Sequence, residues 1–331
     1  MSVEPSVSVV IPTFERRRIV VAAVWSALAQ TRDDVEVIVV DDGSTDGTAA
    51  AVGGIDQRVK VLRRPNGGPA AARNTGIQQA RAPIIAFLDS DDRWQPHHLE
   101  EMLALLDSDP AAVLACTGGA THGDDSLHRP VGVTHAALGV LLGGLLYTSA
   151  VGVRREAVDA VGGFDERFRV LEDSDLWGRL SMEGKFVLGG VATLEAGERP
   201  VRLREEGRLA GLYPPAYERG ACRFVERVFE TAERRPLAES RRLAHAGRGA
   251  AAAARAMGAV IAREPRRAEH ELESAWRLLP ELTERPDLFV RRLRRSHPRW
   301  HEPEEREWAL AWLADVWPGT SRRREDLVRT A

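Results

Sequence analysis

Four short runs of β-branched residues alternate with segments of helical length in the first quarter of the chain. The strand-like runs are Val7–Ile11, Val35–Val40, Val59–Leu62 and Ile84–Leu88. Val and Ile follow one another without regular polar alternation, so both faces of each strand are expected to be buried. The order βαβαβαβ predicts an α/β fold with a mostly parallel, doubly wound sheet flanked by helices.

The segments between these strands have the length and composition of helices, and they cover Arg16–Gln30, Thr45–Val52 and Pro69–Ala80. Ligands of doubly wound sheets bind beyond the carboxyl ends of the strands. We therefore expect the polar residues that follow the four strands to lie along one rim and to form the functional site.

A change in composition near residue 206 predicts a second domain. From Val113 to about Leu203 the pattern is mixed, with short strands near Ala150–Val153 and Lys185–Leu188 and a helix that starts near Glu172. We assign this region to the same domain as the first strands, giving residues 1–205. Residues 206–331 are rich in Ala, Arg, Glu, Leu and Trp, which is typical of an α-helical region. We expect this region to cap the substrate site, mediate oligomerisation or bind a partner. Its predicted helices are Ala216–Arg234, Ala238–Arg263, Arg267–Leu279, Pro286–Arg295 and Glu304–Trp317.

Composition and charge exclude several classes of protein. The 331 residues carry 46 basic and 49 acidic side chains, and this balance argues against a nucleic-acid-binding protein. Two cysteines are too few for a disulfide scaffold. Residues Met1–Ser6 lack the basic-then-apolar pattern of a signal sequence, so none is expected, and the longest apolar run, Ala136–Leu146, is too short to span a bilayer. A cytoplasmic protein is expected; contact of this run with the inner membrane face is the less favoured alternative to its burial.

Three carboxylates, Asp89, Asp91 and Asp92, follow the fourth strand directly. Carboxylates this close repel one another, and a shared cation relieves that repulsion. A divalent metal that holds a diphosphate is the functional interpretation. The alternative is that these aspartates are ordinary turn residues.

Two other strand ends carry polar residues that suit a nucleotide. After the second strand, Asp41 and Asp42 precede a Gly-Ser turn, where one carboxylate can cap a helix and the other can accept a bond from a base or a ribose. Both could instead be turn and cap residues. After the third strand, a Gly-rich loop leads to Arg73, which could contact a base or phosphate or pair with nearby aspartates.

Further along the chain, Glu172 and Asp173 stand at the start of a predicted helix. Acidic residues at this position commonly cap the helix and interact with its dipole. The functional alternative is a general base, which takes the proton of an acceptor hydroxyl as that oxygen attacks.

Four motifs in fixed order closely resemble those of family 2 glycosyltransferases with the GT-A fold. They are Pro12-Thr13-Phe14, Val40-Asp41-Asp42-Gly43-Ser44, Asp89-Ser90-Asp91-Asp92 and Glu172-Asp173. The resemblance covers roughly residues 5 to 205. It implies a nucleotide-sugar donor, UDP-linked by preference, a Mn2+ or Mg2+ ion on the diphosphate, and inversion at the anomeric carbon.

The resemblance also implies a role for individual residues, and Asp173 would be the catalytic base. The residues expected to bind the nucleotide-sugar are Thr13, Phe14, Glu15, Asp41, Asp42, Arg73, Asp89 and Ser90, and those expected to bind the metal are Asp91, Asp89 and Asp92. Family members often have a metal-binding His after the last strands, but Val201–Glu206 contains none. A glutamate, fewer protein ligands or a cation such as Arg204 would have to compensate.

Two other functions stay open at this point. One is a catalytically silent protein that binds a nucleotide-sugar or serves as a scaffold, and the other is a sugar nucleotidyltransferase, which would normally have a basic Gly-rich loop near its N-terminus. The acceptor, whether a glycan, a lipid-linked glycan, a small metabolite or a peptide, needs only a nucleophile near Asp173. Homo-oligomers through the C-terminal helices are a further expectation.

Overall fold

The structure is a computed structural model. It describes residues 4–120, 146–168, 172–180, 183–195, 237–284, 286, 289–290, 293–294, 297 and 299–318. The chain forms two compact units, one of Met1–Thr134 with Leu146–Arg199 and the other of His135–Leu145 with Pro200–Ala331. All the candidate site residues that the structure describes belong to the first unit.

The first unit is built on one eight-stranded sheet, with strand order β3-β2-β1-β4-β7-β6-β8-β5. Its strands are β1 (Val7–Thr13), β2 (Val35–Asp41), β3 (Val59–Arg63), β4 (Ile84–Phe87), β5 (Arg93–Trp94), β6 (Ala112–Ala120), β7 (Val151–Arg154) and β8 (Lys185–Glu195). Strands β1 to β4 pair in parallel. The predicted mostly parallel α/β sheet is therefore confirmed.

The second half of the sheet is mixed. Strand β7 runs antiparallel to both β4 and β6, and β5 runs antiparallel to β8. These strands are short or irregular, and β6 and β8 pair in parallel with several shifts of register. Such pairing leaves little periodicity, and the sequence predicted only the short strands near Ala150–Val153 and Lys185–Leu188, which correspond to β7 and the start of β8.

Helices flank the sheet on both sides of the core. In the first unit they are α1 (Val20–Leu28), α2 (Thr48–Val52), α3 (Pro69–Gln79), α4 (His98–Asp107), α5 (Arg155–Val161) and α6 (Glu172–Leu180). Every residue of β1 and β2 is buried, as expected for strands covered on both faces. Helix α3 lies so close to the sheet at Gly76 that a larger residue would not fit there. A Cβ atom added to Gly76 would lie 2.4 Å from Cγ1 of Val10.

The described part of the second unit is helical. It contains α7 (Leu237–Ile261), α8 (Pro265–Leu278) and α9 (Pro303–Val316), which agree with three of the predicted helices. The predicted helix 216–234, most of 286–295 and the apolar run 136–145 lie outside the described residues. Within the part of the chain that is described, no helix is long and apolar enough to cross a membrane.

Candidate active site

The polar residues that follow the first strands meet at one rim of the sheet, as the sequence predicts. The parallel register places Thr13 beside Asp41 and Asp41 beside Arg63. The backbone carbonyl of Thr13 accepts a hydrogen bond from the Asp42 amide at 2.9 Å. On the other side of β1, Val10 lies beside Phe87, so the aspartates after β4 reach the same rim.

Asp41 and Asp42, at the carboxyl end of β2, are both buried and make different contacts. Asp41 is the turn residue, because its Oδ1 accepts the Ser44 amide at 3.0 Å. Asp42 instead holds the Gly-rich loop before α3. Its Oδ2 accepts the Gly68 amide at 2.7 Å, and both of its oxygens lie 3.1 Å from the Gly67 amide. Contact of Asp42 with a nucleoside remains a prediction, and the geometry shows that it shapes the loop.

The segment after β1 is fastened to the loop after β2. The Glu15 amide donates to Ser44 Oγ at 2.8 Å, and Glu15 Oε1 accepts bonds from the amide and hydroxyl of Thr45 at 2.7 and 2.9 Å. Glu15 has a φ of 53°, a left-handed conformation that its several contacts hold in place. The neighbouring Phe14 side chain is exposed, and an exposed aromatic ring at this rim suits stacking against a base.

Thr13 is the most direct sign of a polar ligand at this end of the site. Its side chain is buried, and its hydroxyl has no hydrogen-bond partner among the described residues. A buried hydroxyl without a partner loses the bonds it would make to water. A ligand group that bonds to this oxygen would restore them.

The aspartate cluster after β4 is tied to Ser149, which lies just before β7. Ser149 Oγ donates to Asp92 Oδ2 at 2.6 Å and accepts the Asp89 amide at 2.9 Å. The Asp92 amide in turn donates to the Asp89 carbonyl at 3.0 Å. The cluster, in which Ser90 is buried, is thus a tight turn with a defined shape.

Two arginines neutralise the cluster. Arg16 Nη1 lies 2.6 Å from Asp91 Oδ2, and Arg73 Nη2 donates to Asp89 Oδ1 at 2.8 Å. Arg73 also donates through Nη1 to Glu172 Oε1 at 3.0 Å and lies 5.3 Å above the Phe164 ring. The pairing alternative for Arg73 is therefore the one that the structure displays, and a contact with base or phosphate stays a prediction.

Arg73 is the physical link between the aspartate cluster and the candidate base. Its side chain is only 6% exposed, and both carboxylates raise its pKa, so it is a permanent cation. Burial raises the pKa of Glu172, and the adjacent Asp173 charge adds to this effect against the attraction of Arg73. Glu172 is next to Asp173 in the first turn of α6. One side chain thus connects the two motifs.

The loop before α6 is held by Asn74, which sequence reasoning did not single out. Asn74 Nδ2 donates to the Phe164 carbonyl at 2.9 Å, and its Oδ1 accepts the Phe164 amide at 2.8 Å. Phe164 packs against Phe87 and Trp177 in the core. Asn74 and Phe164 are 90 residues apart, so no local pattern in the sequence indicates the contact.

The carboxylates of Asp89 and Asp91 have the chemistry to hold a divalent metal whose remaining ligands come from water and substrate phosphates. Among the residues described, no group of three or more His, Cys, Asp or Glu side chains is arranged to hold a metal ion. Asp89 and Asp91 are partly exposed carboxylates, and oxygen ligands of this type suit Mg2+ and Mn2+. Mg2+ commonly uses one or two carboxylates and completes its shell with waters and substrate phosphates. Residues 201–206, where a His is missing, lie outside the described part.

Comparison with known proteins shows similarity to one family over the first part of the chain. Residues 8–138 match the family model described as Glycosyl transferase family 2. Over these residues the chain is similar to glycosyl transferase family 2. The match spans β1 to β6, and so includes the first three of the four motifs.

Two relatives are similar to this chain over part of its length. The succinoglycan biosynthesis protein ExoW of Rhizobium meliloti is 44% identical over 99 residues, which are 28% of this chain and 31% of ExoW. The putative teichuronic acid biosynthesis glycosyltransferase TuaG of Bacillus subtilis is 34% identical over 142 residues, 40% of this chain and 56% of TuaG. The chain covers less than two thirds of either relative.

Similarity to solved structures confirms the prediction of a GT-A fold. S. aureus TarS 1-349 in complex with UDP-GlcNAc aligns with a TM-score of 0.64 at 18% identity, over 92% of each chain. The mannosyltransferase PcManGT from Pyrobaculum calidifontis, in complex with GDP-Man and Mn2+, aligns with a TM-score of 0.56 at 20% identity, over 99% of this chain and 86% of that one. At these identities the likeness concerns the fold alone.

Proposed function

We propose that this protein is an inverting glycosyltransferase, which moves a sugar from a nucleotide-sugar to an acceptor nucleophile. The observation that carries the proposal is the Arg73 bridge, which sets the donor-side Asp89 and the base-side Glu172 on one guanidinium. A transfer reaction needs both ends of the site next to each other, because the nucleophile attacks as the diphosphate leaves. The similarity of residues 8–138 to glycosyl transferase family 2 and the printed names of the relatives support the same class.

At the donor end, the buried Thr13 hydroxyl and the exposed Phe14 ring would receive the nucleoside, with Asp42 holding the loop that lines it. Asp91 and Asp89 would hold Mn2+ or Mg2+ with the diphosphate. That cation would neutralise the charge that builds on the leaving nucleoside diphosphate. The neighbour solved with GDP-Man and Mn2+ supports this assignment.

At the acceptor end, Asp173 would take the proton of the attacking hydroxyl. Its Oδ1 accepts the amide and the hydroxyl of Ser174 at 2.6 and 3.1 Å, which orients the carboxylate. Its Oδ2 has no hydrogen-bond partner within the described part of the chain, so this oxygen is the one that would face the acceptor. A positioned base of this kind accelerates transfer by about 10²- to 10⁴-fold.

The test combines binding and turnover. Purified protein is screened by thermal shift against UDP-, GDP-, CDP- and dTDP-sugars with MnCl2, because a ligand at 100 times its Kd stabilises the native state by about 2.7 kcal/mol. Release of nucleoside diphosphate is then followed with glycan, lipid-linked and peptide acceptors. Asp173→Asn should keep the thermal shift and lose turnover by at least about 10²-fold. The matched control is Asp159→Asn, which removes an exposed helical carboxylate.

Three results would contradict the proposal. The first is the lack of a thermal shift with any nucleotide-sugar. The second is full turnover by Asp173→Asn, which would remove the general base. The third is diphosphate release from a nucleoside triphosphate and a sugar phosphate with none from nucleotide-sugars, which would make the protein a nucleotidyltransferase.

A further inference from the structure

The ion pair between Arg16 and Asp91 joins two segments of the rim that are far apart in sequence. Arg16 Nη1 lies 2.6 Å from Asp91 Oδ2, and the two side chains are 24% and 21% exposed. Asp91 is the carboxylate expected to contact the metal most directly. The cation that holds it in this structure is a side chain of the protein itself.

Hydrogen bonds hold the backbone on both sides of Arg16 in place. The backbone amides of three successive residues are fixed to the loop after β2: Glu15 to Ser44 at 2.8 Å, Arg16 to Thr48 at 3.0 Å and Arg17 to Asp46 at 3.1 Å. The helix α1 follows directly and packs into the core. The guanidinium is thus carried on a long flexible stem from a rigid base.

Physical chemistry makes the pair easy to exchange. An ion pair between partly exposed side chains contributes little to stability, because solvent screens it and side-chain entropy opposes it. A divalent ion on Asp91 would repel the guanidinium at the same oxygen. A displaced arginine has the planar, forked geometry that binds phosphate groups through two bonds. The diphosphate that comes with the ion would offer such a partner.

We propose that Arg16 is a donor-positioning residue: it holds Asp91 until the metal binds, and then moves to the diphosphate of the donor. This inference rests on the proposed function. It explains how a site with few protein ligands for a metal gains selectivity, since the ion alone must compete with Arg16. Metal and nucleoside diphosphate should therefore bind cooperatively, each increasing the affinity of the other by the same factor.

Arg16→Gln tests this proposal with two measurements that should change in opposite directions. Binding of Mn2+ alone is measured by electron paramagnetic resonance of the free ion, and it should become tighter by about fivefold, because the competing cation is gone. Binding of UDP and GDP at saturating Mn2+ is measured by calorimetry. It should become weaker by at least about tenfold, because a charged hydrogen bond to phosphate is lost.

Two further variants sharpen the test. Arg16→Lys keeps the charge but not the fork, so it should bind Mn2+ like the wild type and bind UDP or GDP with intermediate affinity. Arg18→Gln removes an equal charge from an exposed neighbour, which has no side-chain partner in the described part of the chain. It should change neither measurement by more than about twofold, the size of a screened charge effect.

Other outcomes overturn the inference. If Arg16→Gln weakens both Mn2+ and diphosphate binding, Arg16 is a fixed brace for Asp91. If it changes neither, the ion pair has no part in donor binding. A wild-type protein that binds no nucleoside diphosphate with Mn2+ contradicts the proposed function as well. Normal binding by the wild type with equal behaviour of Arg16→Gln and Arg18→Gln removes only the role of Arg16.

Discussion

Replacing Arg73 by Met removes the cation that joins the two ends of the candidate site. Met keeps a long, polarisable side chain that can still pack against Phe164, so the main loss is the charge. Glu172, whose side chain is 14% exposed in the wild type, loses the guanidinium that lies 3.0 Å from its carboxylate. Asp89 loses the same partner but is 35% exposed, so water can compensate for most of its loss.

The magnitude follows from the burial of each partner. Removing one member of a buried ion pair typically costs 3–5 kcal/mol, because it leaves a buried charge without compensation. Glu172 retains some exposure, so we expect Arg73→Met to lower the free energy of unfolding by about 3 kcal/mol. Adding Glu172→Gln removes the stranded charge. The double variant should then be more stable than the sum of the single effects predicts, by about 2 kcal/mol.

The effect should also depend on pH in a defined direction. Without Arg73, the pKa of Glu172 rises further above its unfolded value, since burial is no longer opposed by a neighbouring cation. The folded state of Arg73→Met then binds a proton that the unfolded state has lost. Its stability falls as pH increases from about 4.3 through the raised pKa of Glu172. The difference from the wild type should therefore be larger at pH 8 than at pH 5.

The assay is urea unfolding followed by circular dichroism and tryptophan fluorescence at pH 5 and pH 8. Because the chain has two compact units, each transition is fitted separately. Arg58→Met is the matched control, since Arg58 pairs with Asp56 and both are partly exposed. It should cost less than about 1 kcal/mol. Additive effects in the Arg73 and Glu172 cycle, or a loss independent of pH, would refute the reasoning.

Two further predictions concern the scaffold of the first unit. Burial lowers the pKa of His98 from 6.5 to about 3, so below pH 6.5 the unfolded state takes up a proton that the folded state does not; stability should fall by about 2 kcal/mol from pH 7 to pH 5. Urea midpoints check this, and His98→Gln should lack that part of the slope; an equal slope would contradict it. Gly76→Ala brings a Cβ against Val10 and should destabilise by about 1–2 kcal/mol, the cost of overpacking less the gain in helix propensity. Thermal unfolding measures this change in stability. The control is Gln78→Ala at an exposed position of the same helix, which should leave the stability unchanged. A Gly76→Ala variant more stable than the wild type would show that the sheet shifts to make room for the methyl group.

The parallel half of the fold could be predicted because its signals are local. Strands β1 to β4 are nearly continuous apolar runs, and each is followed by polar residues that must lie at the same edge. Helix α4 was not predicted, and β7 and β8 were predicted only as short strands near Ala150–Val153 and Lys185–Leu188. Strand β7 has only four residues and pairs with antiparallel neighbours on both sides, an arrangement that leaves little periodicity in the sequence.

In the candidate site, too, some features could be predicted from the sequence and others could not. The chain's own motifs were sufficient to single out Asp42, the aspartate cluster and Asp173, because acidic residues directly after buried strands or at a helix start are chemically unusual. The sequence left the role of Arg73 open, and it gave no sign that Arg16 pairs with Asp91. These contacts span large separations, 99 residues between Arg73 and Glu172.

By itself, then, the sequence determined which kinds of residue stand at the rim of the sheet, since burial patterns and turn chemistry act over a few neighbouring residues. Only the tertiary structure decided which charges meet. An ion pair depends on where separate loops cross after the strands have paired, and many arginines compete for each carboxylate before that point. Arg16 with Asp91 and Arg73 with Asp89 and Glu172 are the pairs that this packing selects.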